Sequence, residues 1–222
     1  MEYELGELLF TMKLRLSFKR ITIVLTATQA NIVSESEYLE GELVSDVKHE
    51  LLNGQVYAMT GGTRNHDRIA NNVAREFGIH LKNSSCEPFG PDLRVKAGAN
   101  FYYPDVFVDC NIDELEPTYA TSPVIIVEVL SKSTHQNDRT VKRLSYINMP
   151  SLLEYVLIEQ DFVEVQVMRK TDDWKSTYYT LGDKVHFESI DLTLSVEAIY
   201  HRVHNDSMLA FLQDKNAGNN DQ

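Results

Sequence analysis

The run "PVIIVEVLS" at residues 123–131 constrains this chain more than any other stretch. Its apolar residues follow one another without alternation, and a strand of that kind must be covered on both faces. A sheet with one solvated face would instead read apolar and polar in turn. The run therefore belongs to the inside of a sheet held between two other layers. One residue breaks the pattern. Glu128 puts a carboxylate on an otherwise apolar strand, and a carboxylate stripped of its hydration must be paired, protonated or bound to a metal.

The neighbouring segments supply the layers. Between Asn65 and Lys82 the residues Ile69, Ala70, Val73, Phe77 and Leu81 recur at helical spacing, so one helix face packs on a sheet. His66 begins that stripe at the helix start, a place that suits a hydrogen-bonded core histidine or a site residue. "SESEYLEGE" offers Ser34 or Ser36 as the cap of a short helix, and "HELLNGQVYAM" has two extended runs around Asn53-Gly54, a strong hairpin signal. "PDLRVKA" alternates with Asp92, Arg94 and Lys96 on one face, and "YYPDVFVDC" alternates with Asp105, Phe107 and Asp109 together. "THQNDRTVKRLSYINMP" reads as a helix capped near Thr134 and stopped by Pro150. "LEYVLIEQDFVEVQVMRK" is a second hairpin, "WKSTYYTL" and "DKVHF" add strands, and "LSVEAIY" is a short helix. This order predicts a mixed α/β fold of the α+β kind, with a central mixed sheet flanked by helices and extra hairpin strands toward the C-terminus.

Length and charge narrow the function. The chain has 222 residues and a formal net charge of -12, which argues against coating nucleic acid by bulk electrostatics. A nuclease remains compatible, since a cleft needs only a local positive lining and a divalent cation can provide part of it. The apolar run "ITIVL" is too short to span a bilayer and "MEYELGELLF" is no secretory signal, so a cytoplasmic protein with no membrane association is expected. Cys86 and Cys110 are too few and too separated to suggest a disulfide framework or a zinc site and read as plain thiols. Residues 1–25 read as an N-terminal arm or upstream start, 26–204 as the domain and 205–222 as a flexible tail.

Asp105 and Glu128 lie on successive strands joined by a loop of about a dozen residues, a length that lets the strands pair as neighbours. Two carboxylates side by side repel unless a cation sits between them. Hard oxygen ligands of this kind suit Mg2+, with Mn2+ as its substitute, completed by a scissile phosphate.

Together "YPDVFVDC", "PVIIVEVLSKST" and "DRTVKRLSYINMPSLLEYVLI" resemble the Uma-type restriction endonuclease family, a branch of the PD-(D/E)XK nuclease superfamily. The resemblance runs from about Tyr38 to Tyr200 and takes in the "NHDRIANNV" helix and "PDLRV". It implies a Mg2+-dependent endonuclease acting on DNA, with Asp105, Glu128 and the main-chain carbonyl of Val129 as metal ligands. The superfamily pattern places a lysine two positions after the glutamate, and here that position holds Leu130. The resemblance then implies a migrated lysine, with Lys142 as the candidate ahead of Lys96 and Lys132. Asp92, Glu50 and His66 would line the site. A homodimer is expected, because cutting duplex DNA with one site per chain is most simply done by two related copies.

Spacing alone permits a plainer reading. Asp138 and Lys142 stand at i and i+4, where a solvent-exposed ion pair worth about 0.3 to 0.5 kcal/mol is the usual explanation. Asp92 could pair with Arg94 or Lys96, and Glu50 could face solvent. The main rival to a nuclease is a module of the same fold that binds DNA or a protein partner without cutting, and a third reading is a hydrolase of another phosphoester.

Overall fold

A computed structural model of the chain describes residues 9–17, 20–28, 32–111, 118–131 and 138–219. Two compact units divide it, Met1–Ala58 and Met59–Gln222. The division follows the Asn53-Gly54 hairpin, whereas the sequence suggests a boundary near Thr26.

In the first unit β1 (Leu9–Ser17) and β2 (Arg20–Thr28) form an antiparallel hairpin, where the sequence suggests only an arm. Helix α1 (Glu35–Val44) begins at Ser34, whose hydroxyl accepts from the Glu37 N–H while the Glu37 carboxylate accepts from the Ser34 N–H, a complete capping box. Strands β3 (His49–Leu52) and β4 (Gln55–Ala58) turn through Asn53 at φ 49° and Gly54 at φ 77°. Both angles are left-handed, as a two-residue hairpin that follows strand twist requires. The Tyr38 hydroxyl donates to the His49 carbonyl at 2.6 Å and ties the helix to the hairpin.

The second unit runs α2 (Arg64–His80), β5 (Glu87–Phe89), β6 (Arg94–Ala97), β7 (Asn100–Tyr102), β8 (Val106–Asp109), β9 (Tyr119–Ala120) and β10 (Pro123–Leu130). A π-helical turn (Asp138–Lys142) then continues directly into α3 (Arg143–Ile147). The chain proceeds through β11 (Glu154–Glu159), β12 (Val165–Arg169), β13 (Ser176–Tyr179), β14 (Lys184–Phe187), β15 (Leu192–Ser195), α4 (Val196–Ile199) and α5 (Asp206–Asn219). Residues 206–219 are thus helical where composition suggests a flexible tail. The expected helix cap at Thr134 and the candidate Lys132 lie outside the described residues. Among the described residues no helix is long and apolar enough to cross a membrane.

Six strands form the central sheet in the order β13-β12-β11-β10-β8-β5. β10 and β11 are parallel and the other neighbours are antiparallel, so the sheet is mixed as expected. β10 is interior and covered on both faces. Its Ile125, Val127 and Val129 join Val106, Val108, Val156 and Ile158 against Ile69, Val73 and Phe77 of α2. Those three helix residues are fully buried, and each contributes roughly 1.5–3 kcal/mol of hydrophobic stabilisation. The alternate residues Ile126, Glu128 and Leu130 face the other way, toward the layer that carries Tyr146 of α3. β14 and β15 pair as the additional C-terminal hairpin. β6 pairs with β7 and β9, and it starts at Arg94, so Asp92 lies in the exposed turn before it rather than in the strand.

The cysteines are not plain thiols. Cys86 and Cys110 form a disulfide. β5 pairs with β8 so that Glu87 faces Asp109, and this register brings the two cysteines opposite each other just beyond the strand ends. The three-residue strand "EPF" is too short and proline-broken to be legible in sequence, which hid the pairing. Closing a 24-residue separation should stabilise the fold by about 3 kcal/mol through the unfolded chain's lost entropy. Thiol titration of the unfolded, unreduced protein should find no free thiol, and Cys86→Ser with Cys110→Ser should lower the midpoint of urea unfolding accordingly.

Candidate active site

The register that pairs Val127 with Val106 and Ile126 with Phe107 would, continued by one step, set Glu128 opposite Asp105. The ladder stops short of that step. Asp105 sits in the bend at the mouth of β8 and uses its side chain instead, accepting the Val129 N–H on Oδ2 at 2.7 Å. Glu128 turns its carboxylate to the side away from the α2 core, toward Tyr146, while the Asp105 carboxylate stays at the strand end beside the Val129 N–H. β8 and β10 pair as neighbours, as the length of the connection between them allows.

Glu128 is 3 % exposed, Lys142 4 % and Asp138 1 %. Lys142 Nζ stands 3.4 Å from Glu128 Oε1 and 3.2 Å from Asp138 Oδ1, and the Tyr146 hydroxyl donates to Glu128 Oε1 at 3.1 Å. The surface ion pair that i,i+4 spacing suggests is therefore a buried cluster. The π-helical winding, with hydrogen bonds from i to i+5, is the local device at this position. Asp138 and Lys142 are both buried within it, and Tyr146 is buried four residues further on. Tyr102 completes the wall, with its ring centroid 5.8 Å from Lys142 Nζ and 5.1 Å from that of Tyr146. The Tyr155 hydroxyl donates to the Asp138 carbonyl at 2.9 Å and anchors the start of the π turn to β11.

His66 enters from the α2 side. Its Nε2 lies 3.2 Å from Asp105 Oδ2, so it meets the same oxygen that accepts the Val129 N–H. Burial is the largest influence on the imidazole and works against its charged form. The hydrogen bond and charge of Asp105, aided by the charges of Asp138 and Asp67, outweigh that influence and hold its pKa above the usual histidine value. The α2 N-terminus is set by Thr63, whose hydroxyl accepts the His66 N–H at 3.2 Å.

Asp92 is exposed in the turn before β6, and Lys96 lies with Nζ 5.6 Å from the Phe101 ring centroid. Glu50 is half-buried on β3 of the first unit, opposite Tyr57. Three residues of the site escape a reading of the sequence: Tyr146, Tyr102 and the inward-turned Asp138. The series 138, 142, 146 is a visible signal, because three polar residues four apart on one helix share a face.

Three carboxylates, Asp105, Glu128 and Asp138, thus share a small region with one lysine and one histidine. Among the described residues no three His, Cys, Asp or Glu side chains are grouped closely enough to hold a metal by themselves. Asp138 Oδ1 is buried with the Lys142 ion contact but no hydrogen bond, and the contacts of Asp105 to Val129 and His66 both fall on Oδ2. The donor set is hard oxygen with surplus negative charge. That fits a weakly held Mg2+-type ion completed by main-chain and non-protein oxygens, and does not fit a tight all-protein cage.

Residues 35–197 match the family model of Uma2, described as "Putative restriction endonuclease". Two Synechocystis proteins are similar. Slr1290 is 36% identical over 173 residues, covering 76% of this chain and 91% of its own length, and sll1609 is 28% identical over 155 residues, covering 68% and 88%. A crystal structure from Anabaena variabilis, described as "a putative nuclease belonging to DUF820", superposes with a TM-score of 0.64 at 18% identity over 76% of this chain and 97% of that one. At that identity the likeness speaks for the fold.

Two outcomes follow from the buried cluster. Lys142→Met should leave Glu128 and Asp138 buried without their cation and cost about 3 kcal/mol or more in urea unfolding of the metal-free protein, against well under about 1 kcal/mol for a solvent-exposed pair. The histidine gives a pH signature. A folded pKa raised above the unfolded one contributes stability that is fully present below about pH 6.5 and lost as pH rises through the folded value. In metal-free protein the stability gap between wild type and His66→Gln should accordingly narrow with rising pH.

Proposed function

The chain belongs to the Uma2 family, and from that premise we propose that it is a divalent-metal-dependent endonuclease that hydrolyses DNA phosphodiester bonds at the end of β10. One observation carries this reading. A buried lysine from the covering helix stands over the sheet 3.4 Å from Glu128 Oε1, on the strand next to the one that Asp105 opens. A fixed acid pair with an adjacent lysine is what metal-assisted phosphoryl chemistry needs, and a fold seeking stability alone would do as well with apolar residues there.

Asp105 and Glu128 would hold Mg2+ or Mn2+ together with the Val129 carbonyl. When bound, such an ion supplies a Lewis acid for the scissile phosphate and acidifies the attacking water. Glu128 presents its carboxylate from a rigid interior strand, and the Tyr146 hydroxyl restrains its Oε1. Asp105 is oriented by the Val129 N–H and by His66. Lys142 would orient the water and offset negative charge as it develops on the phosphate. Tyr102 and Tyr146 exclude solvent from the lysine, which strengthens its field at the reacting centre. His66 would position a phosphate oxygen beside Asp105.

The test is cleavage of supercoiled, linear and single-stranded DNA with Mg2+ or Mn2+, by wild type, by Asp105→Asn with Glu128→Gln, and by Lys142→Ala. Wild type should cut, the double variant should not, and Lys142→Ala should lose on the order of 100-fold in rate. Equal rates for wild type and Lys142→Ala would overturn the role of the lysine. DNA binding without cleavage of any form would identify a silent module of the same fold, in keeping with Leu130 in the usual lysine position.

A further inference from the structure

One buried side chain outside the acid cluster is joined to both halves of the site. Gln160 directly follows β11 and is 4 % exposed. Its Nε2 donates to the Leu130 carbonyl at 3.0 Å, and its Oε1 accepts the Thr63 hydroxyl. The Leu130 carbonyl can only accept, so it fixes the amide with Nε2 toward β10 and Oε1 toward Thr63. Thr63 then has its proton committed to Gln160 and its lone pair directed at the His66 N–H, 3.2 Å away. The main-chain carbonyl of Gln160 accepts from Asn205 Nδ2 at 3.2 Å, so the glutamine is itself pinned.

These bonds close a circuit. From Leu130 it passes through Gln160 and Thr63 to the backbone of His66, and from the His66 ring through Asp105 Oδ2 to the N–H of Val129, the residue before Leu130. On the other side of the imidazole Gly62 leaves room for the ring, since an added Cβ would lie 3.1 Å from His66 Nδ1. The histidine is therefore held at its backbone and at Nε2, with Gln160 as the member that refers the helix start to the end of β10.

We propose that Gln160 is a positioning residue for the site: it locks the α2 N-terminus to Leu130 and so holds the His66 imidazole on Asp105. This rests on the reading of Asp105 as part of a nuclease centre. The 3.2 Å contact leaves little slack, because a helix start displaced by about 1 Å takes Nε2 out of hydrogen-bond range, and misplacements of that size cost on the order of 100-fold where orientation governs rate. A glutamine that merely fills the core would affect stability alone.

A double-mutant cycle separates the two. With Mn2+ and DNA, Gln160→Met should reduce cleavage about tenfold or more in wild type and less than about twofold in a His66→Ala background, because a group acting through His66 has nothing left to position. Losses that multiply in the double variant would overturn the proposal. Thr63→Ser, which keeps the hydroxyl, should retain the rate that Thr63→Val loses, and this pair carries the test if Gln160→Met does not fold. Should wild type cut no DNA, the nuclease reading fails by itself. The proposal is then decided by the His66 Hε1 NMR signal of the metal-free protein, which Gln160→Met and Thr63→Val should both displace while Thr63→Ser leaves it in place. An unmoved signal would overturn it.

Discussion

The ion contact between Glu128 and Lys142 inside the central sheet governs how the rest of the second unit is arranged. A carboxylate on an interior strand has given up water on every side, and the attraction of a single cation restores that loss only when further hydrogen bonds satisfy the remaining oxygens. Here a lysine and a tyrosine hydroxyl converge on it, and the lysine is shared with a second buried carboxylate, Asp138. The covering layer must therefore be polar where it meets β10 and aromatic around it, which is the composition of the π turn, α3 and the Tyr102 wall. A register slip of one residue would turn Glu128 into the apolar core under α2, so the same charge also fixes strand pairing.

The two faces of the sheet consequently differ in kind. The α2 face is a continuous apolar core built from valine, isoleucine and phenylalanine. The opposite face concentrates charge and hydroxyl groups over the middle of β10. Their meeting point is the end of the strand, where the Val129 N–H binds Asp105 and the Leu130 carbonyl binds Gln160. The N–H of one strand residue and the carbonyl of the next thus organise side chains from a bend and a distant turn, and through them a helix start. Rigid strand backbone suits this task, since its peptide groups do not sample alternative directions as a loop would.

Moving the lysine from the strand to the covering helix changes what the residue must do. Leu130, two positions after Glu128 and on its face, is buried and apolar, so the strand carries no positive charge of its own. Lys142 reaches Glu128 from above instead, carried by a π turn that Tyr155 anchors at the Asp138 carbonyl. Its position depends on how that helical segment is packed. The chemistry proposed for the lysine is for this reason coupled to the stability of the layer that delivers it, and Asp138, which shares its charge, restrains its reach.

What the sequence determined by itself is the main elements of the central layer and their buried faces. The apolar run at 123–130, interrupted only by Glu128, demanded an interior strand, the 69, 73, 77 stripe a sheet-packed helix, and Asn53-Gly54 a tight hairpin, because each is a short-range consequence of side-chain direction and backbone sterics. The length of the loop between them was enough to set β8 beside β10, and family resemblance pointed from Leu130 to Lys142. Tertiary structure alone decided the rest. Asp138 and Lys142 have the same spacing on an exposed helix as on a buried one, and only the layer over them sets the local dielectric that separates a weak surface pair from a strong interior one. The Cys86–Cys110 bridge, the Tyr146 hydroxyl on Glu128 and the Gln160 link to Thr63 join segments far apart in the chain. Hydrogen bonds and disulfides depend on distances of a few ångströms, and no local periodicity encodes a distance between residues that the fold has yet to bring together.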